Sequence, residues 1–358
     1  MNKLRNSVDC LTGLIPYDPK YLPADTFLSA NENTDDIPAQ VRALIMERLE
    51  KLPFNRYPDP LANNLRDAIA QANGLHRENV LIGNGGDELL FDIALAWGGP
   101  NRKLLNLPPT FSVYAHNAVL CHTEIVNIAR KDDLCIDEPA VLDRLSKGDI
   151  DYVVITSPNN PTGDVASRAF IEQVLEASDA LVLADEAYCE FSGVSVVDMI
   201  AQHKNLVVLR TFSKAYSLAG LRLGYVFAQA EVINELCKVR QPYSVDAISQ
   251  TIGLSVFESR QLFQARIETT IEERKKLYEA LCKIPGLKVY PSEANYILFR
   301  VDQAESIWRA LFEKGILIRD FSRSPGLTDC LRVTVGSAQE NEAFLKALIA
   351  SLEEKELV

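Results

Sequence analysis

At 358 residues the chain exceeds the size at which one hydrophobic core keeps growing, so two lobes are expected. Hydrophobic residues at 47% and charged residues at 24% exclude a disordered polymer, and a net charge of −12 argues against a nucleic-acid or anionic-membrane surface. Any anion must be held by a local pocket. In chain order, the first twenty residues lack the apolar core of a signal peptide, and no later run reaches transmembrane length, so a cytoplasmic protein is expected. Seven dispersed cysteines without a C-x-x-C read as reduced thiols. His116, Cys121 and His122 lack further ligands at usable spacing, so no metal is expected.

The segment to about Asn33 has little regular pattern and is expected to pack across the lobes. Short β-branched or Leu-rich runs follow: NVLIG (79–83), DYVVITS (151–157), ALVLADEA (180–187), NLVVLRTFS (205–213) and GYVFA (224–228). Helical periodicity lies between several of them, as in ELLFDIALAW and SRAFIEQVLEAS. Apolar strands separated by helices predict an α/β fold, a mainly parallel sheet covered on both faces in three α/β/α layers over 34–259. From residue 260 the pattern changes to a long charged helix, then strand, helix, strand, strand and helix, a smaller α+β domain over 260–358.

In such sheets ligands sit beyond the carboxyl ends of the strands, and four strand ends carry excess polarity. GNGGDE (83–88) is a glycine turn entering a helix, which suits phosphate or is simply turn chemistry. SPNNPTGD (157–164) holds more hydrogen-bonding capacity than a turn needs. ADEAY places Asp185 and Tyr188 after an apolar run, where a carboxylate can equally cap the next helix. RTFSKAYSLAGLRLGY (210–225) sets Ser213, Lys214 and Arg222 in a Gly-Leu-rich loop.

Taken in order, N-P-T-G, D-E-A-Y, S-K with G-L-R-L-G-Y eight residues on, and L-R-V-T-V-G resemble the fold-type I pyridoxal-phosphate (PLP) aminotransferases. The resemblance runs nearly end to end and is closest to the histidinol-phosphate aminotransferases. It implies that Lys214 carries the PLP aldehyde as an aldimine and moves the proton of the 1,3-shift. It implies that Asp185 pairs with the pyridine nitrogen, and that Asn160 and Tyr188 donate to the phenolate oxygen. Arg222, Ser213 and Thr211 would bind the phosphate with the glycine turn at Gly85, Gly86 and Asp87. Phe111 would stack on the ring, and Tyr57 would reach the phosphate of a neighbouring subunit in a homodimer with shared sites.

For the substrate, the resemblance places Arg332, Arg319, Tyr17 and Asn33 around the bound amine, with glutamate and 2-oxoglutarate as donor and acceptor. Arg323 is a further cation nearby. It ranks histidinol phosphate first, aromatic or broad amino acids second and threonine-phosphate decarboxylation third. A binding protein without catalysis is disfavoured because Lys214 and Asp185 are both present. Within the second stretch Asn160 is the functional amide and Asn159 a replaceable turn residue.

Overall fold

The computed structural model describes residues 7–14 and 22–356. Twelve strands form two sheets among the described residues. They are β1 (Thr26–Leu28), β2 (Val80–Asn84), β3 (Lys103–Asn106), β4 (Glu124–Asn127), β5 (Tyr152–Thr156) and β6 (Leu181–Asp185), then β7 (Leu206–Thr211), β8 (Leu223–Ala228), β9 (Lys288–Val289), β10 (Tyr296–Arg300), β11 (Ile316–Asp320) and β12 (Cys330–Thr334).

The large sheet has the order β2-β8-β7-β6-β5-β3-β4 and is parallel except for β8, which runs against both neighbours. Its central strands lack polar alternation because both faces are covered. Along β5, Val153 and Ile155 face one core with Phe170 and Val174 of the helix Arg168–Ala177, while Tyr152 and Val154 face the other with Leu89 and Ile93 of the helix Gly85–Trp97. Caps fix several helix starts: the Ser167 hydroxyl accepts from the Phe170 N–H at 3.0 Å, and Asp246 from that of Ser249 at 2.8 Å. No described helix is long and apolar enough to cross a membrane.

The small sheet has the order β1-β11-β12-β10-β9 and is antiparallel except for the β1–β11 pair. Its core joins Ile297, Phe299, Leu331 and Val333 to Phe344 and Leu348 of the last helix. Two expectations need correction here. The opening segment is not wholly irregular, because Thr26–Leu28 pairs in register with Ile316–Ile318. The run 286–301 is two antiparallel strands, not one. The helix Gln264–Leu281 begins just after the expected boundary at 259/260 and contributes to both cores: Ile267 packs in the large core and Leu277 and Leu281 in the small one.

Because β2, β5, β6 and β7 all point the same way, Gly85, Asn160, Asp185 and Lys214 leave the sheet at one edge. Phe111 leaves from the same edge after β3. The small sheet closes over this edge through Tyr296, whose hydroxyl donates to the Asn159 carbonyl at 2.6 Å, and through the Glu293 N–H, which donates to the Gly163 carbonyl at 2.8 Å.

Candidate active site

Asp185 ends β6 and is 4% exposed. One carboxylate oxygen accepts from the Tyr114 hydroxyl at 2.6 Å and the other from the Ala187 N–H at 3.0 Å. Burial pushes its pKa up to about 6 despite both bonds. Tyr114 also lies 2.8 Å from the Thr156 hydroxyl, and burial keeps its phenol protonated and therefore a donor. Sequence reading missed Tyr114. Its only signal was its place one helical turn after Phe111, whose ring meets it edge-on at 5.7 Å.

Lys214 follows β7, with its Nζ donating to the Ala30 carbonyl at 2.9 Å and lying 5.9 Å from the centre of the Tyr188 ring. Burial lowers its pKa to about 8; the charge of Arg332 helps, Glu32 opposes, and Arg222 and Asp87 follow in the same opposed senses. Of these charges Arg332 belongs to the small sheet, and Arg222 and Asp87 pair at the glycine turn. Tyr188 is buried, with its ring edge-on to Tyr296 at 5.0 Å, and its oxygen accepts from the Asn31 side-chain amide at 3.0 Å.

At the glycine turn, no side chain caps the start of the helix Gly85–Trp97, so its first-turn N–H groups have no capping acceptor. Arg222, held at φ +52, gives a hydrogen bond to Asp87 at 2.7 Å. Both side chains are about half exposed, so the pair is a weak one that an anion can replace. A Cβ at Gly85 would stand 2.8 Å from the Arg222 guanidinium, and one at Gly224 would stand 2.6 Å from the Gly86 nitrogen. These two glycines let the helix start, β8 and Arg222 converge. Ser213 and Thr211 are buried beside them, the Thr211 hydroxyl 3.0 Å from that of Ser213 and 3.2 Å from the Leu223 carbonyl, which ties Thr211 into the turn.

The paired asparagines divide differently from expectation. The Asn160–Pro161 peptide is cis, as are Ser157–Pro158 and Pro108–Pro109. Asn160 accepts from Arg332 with its side-chain oxygen, and its amide nitrogen makes no hydrogen bond among the described residues. Asn159 is fully buried: its amide donates to the Pro109 carbonyl at 3.0 Å and the Thr162 hydroxyl at 2.6 Å, and its oxygen accepts from Thr110 at 2.7 Å. Asn159 is therefore not replaceable. Asn159→Ala would remove three hydrogen bonds made by one fully buried side chain and is expected to cost about 2–4 kcal/mol in urea unfolding, whereas Asn160→Ala should cost less than about 1 kcal/mol.

Arg332 and Arg319 are direct cross-strand partners on β12 and β11. Arg332 is 5% exposed, donates to the Ser29 carbonyl at 2.7 Å and lies 5.0 Å from the Tyr296 ring centre. Two like charges placed opposite each other are unfavourable unless an anion sits between them or beside them. Arg323 does not join them: it pairs with Glu305 and is 80% exposed. Asn33 turns its amide toward the Lys214 carbonyl at 3.5 Å and its oxygen to the Asp35 N–H, so both ends are engaged by backbone. Tyr57 is 83% exposed and stacks on Tyr243 at 4.7 Å. Tyr17 lies outside the described residues.

A buried carboxylate, a half-buried amine of lowered pKa, and an arginine against an uncapped helix start form a donor set that fits an aldehyde-bearing, phosphorylated pyridine. The profile of the family described as aminotransferase class I and II matches residues 25–348. The chain belongs to that family. The chain is 39% identical to histidinol-phosphate aminotransferase 1 of Carboxydothermus hydrogenoformans over 97% of its length and 99% of the relative's. Among solved structures, histidinol-phosphate aminotransferase of Sinorhizobium meliloti in complex with pyridoxal-5′-phosphate superposes with a TM-score of 0.89, at 21% identity over 98% of this chain and 99% of that one. L-threonine-O-3-phosphate decarboxylase of Porphyromonas gingivalis gives 0.81 at 26% identity, over 92% and 99%. As an aminotransferase of this family the chain is a PLP-dependent enzyme.

Proposed function

We propose that this aminotransferase moves the amino group of histidinol phosphate to 2-oxoglutarate by a ping-pong route. The near full-length identity to the Carboxydothermus relative carries this reading. It is supported by the Arg319–Arg332 pair, which offers two cations to substrates that present a phosphate in one half-reaction and carboxylates in the other. When bound, PLP supplies an electron sink for the carbanion left at the amine carbon.

The protein's own groups do the rest. Asp185, held in place by Tyr114, would accept the pyridine N–H. Asn160 and Tyr188 would donate to the ring's phenolate oxygen, and Phe111 would pack against the ring. Arg222, Ser213 and the amides of Gly85, Gly86 and Asp87 would hold the phosphate, with Thr211 bracing Ser213. Lys214 would supply the nucleophilic amine and then carry the proton from the amine carbon; lowering its pKa to about 8 raises the free-amine fraction near neutral pH well above that of an ordinary lysine while leaving it basic enough to accept that proton. Asn33 shapes the Lys214 turn.

Exposed Met46, Phe54, Tyr57 and Tyr243 suit a homodimer in which each Tyr57 completes its partner's phosphate site. The lobe boundary then falls within the helix Gln264–Leu281, and seven unpaired cysteines suit a cytoplasmic enzyme. Separate incubation with histidinol phosphate, phenylalanine and threonine phosphate, following glutamate formed from 2-oxoglutarate and carbon dioxide release, tests the substrate. Glutamate from histidinol phosphate is expected. Carbon dioxide from threonine phosphate alone would overturn the reading. Arg319→Leu should cut kcat/KM for histidinol phosphate on the order of 100-fold while lowering that for glutamate far less; equal losses would make Arg319 structural.

A further inference from the structure

Asn31 is 1% exposed and sits at φ +54, a backbone region that asparagine tolerates better than most side chains. It belongs to the strap that follows β1, and it touches both lobes. Its backbone N–H donates to the Thr334 hydroxyl at 3.0 Å, and its carbonyl accepts from the Asn295 amide at 3.0 Å; both partners belong to the small sheet and its approach. Its side-chain oxygen lies 3.3 Å from that same Thr334 hydroxyl. Thr334 accepts from the Asn31 backbone and donates its single proton to the Asn31 side-chain oxygen. With the oxygen so engaged, the other end of the amide faces Tyr188. The end facing Tyr188 is the NH2 group, 3.0 Å from the phenol oxygen in the large lobe.

An amide nitrogen has no lone pair to accept with, so the phenol oxygen must accept here, and its own hydrogen must go to a different acceptor. We propose that Asn31 is a positioning residue that fixes the direction of the Tyr188 hydroxyl proton, aiming it into the cleft at the phenolate oxygen of the cofactor. The inference rests on the proposed PLP site. It also makes the proton's direction depend on lobe placement, since Thr334 and Asn295 orient the amide. Accepting one hydrogen bond makes the phenol a stronger donor of the other.

The test is a pH titration of the visible absorbance of the PLP-loaded protein. A donor on the phenolate oxygen favours the proton-free chromophore, so loss of the donor raises the midpoint. Tyr188→Phe is expected to raise it by about one pH unit. Asn31→Asp should raise it by a similar amount, because a carboxylate takes the Tyr188 proton for itself. In the Tyr188→Phe background Asn31→Asp should add nothing further. Asn31→Gly, which keeps the left-handed backbone and removes the amide, should give a smaller rise that also vanishes without Tyr188. Melting curves of the cofactor-free variants separate loss of fold from loss of proton control.

An Asn31→Asp midpoint equal to wild type overturns the inference. So does an equal shift with and without Tyr188, which would mark a plain charge effect. If Asn31→Asp does not fold, an unshifted Asn31→Gly midpoint is the overturning result. A wild-type protein lacking a visible band that Lys214→Ala removes would overturn the site reading itself, and this inference with it.

Discussion

Lys214→Ala is expected to lower amino transfer by about 10,000-fold or more, with the protein still folded, because the variant loses the amine that lies beside Tyr188 at the cleft edge. The measurement is glutamate formation from 2-oxoglutarate, together with the visible absorbance of the PLP-treated protein, which the variant should lack. The pH dependence adds an independent check. An ordinary lysine amine is almost fully protonated below pH 9, but burial and the Arg332 charge bring this one to about 8. PLP capture by the cofactor-free enzyme should therefore accelerate through pH 8 and level off soon above it. A rate still climbing steeply at pH 10 would show an amine that behaves as if exposed.

Asp185→Asn is expected to have opposite effects on activity and on the stability of the cofactor-free protein. The folded-state pKa of about 6 stands above the ordinary 3.8, so the protonated carboxyl is the form the fold prefers. The favourable contribution is complete below pH 4 and is lost as the pH rises through 6. Above that, the buried carboxylate costs about 3 kcal/mol relative to a neutral group, from two pKa units at about 1.4 kcal/mol each. Asparagine keeps the shape and an acceptor for Tyr114 without the charge, while its NH2 end gives up the hydrogen bond from the Ala187 N–H. The variant should thus unfold at higher urea than wild type at pH 8, where the charge outweighs that loss, and at somewhat lower urea at pH 4. Its transamination should fall on the order of 1,000-fold, because a neutral amide neither stabilises a pyridine N–H⁺ nor keeps it protonated. In wild type the charge that destabilises the empty site is the charge the cofactor needs, a local trade of stability for function. Equal urea midpoints at pH 8 would show that the carboxylate is better solvated than its 4% exposure implies.

The strands that carry the chemistry were legible because each ends abruptly: β5, β6 and β7 are apolar runs closed by Thr156, Asp185 and Thr211. The strands without chemistry were harder to find. β3 and β4 are four residues each with two apolar positions, and β1 has three residues, too short for any period to register. β9 and β10 read as one run because the break between them, PSEAN, carries only one proline.

Local sequence by itself narrowed the search to polar strand ends, marked by breakers beside apolar runs, and the resemblance carried by their motifs in order singled out Lys214, Asp185, Asn160 and Arg222. It also determined the sheet that gathers them, because apolar runs alternating with amphipathic helices have one economical way to bury both faces. Tertiary structure alone decided how those groups are held. Tyr114 reaches Asp185 from 71 residues away, Asn31 reaches Tyr188 from 157 away, and Arg332 reaches Asn160 from 172 away. It also decided that Asn159, not Asn160, is the amide that holds the turn together. A hydrogen bond between distant segments leaves no periodicity and no spacing in the chain, because its geometry exists only after the two lobes have packed.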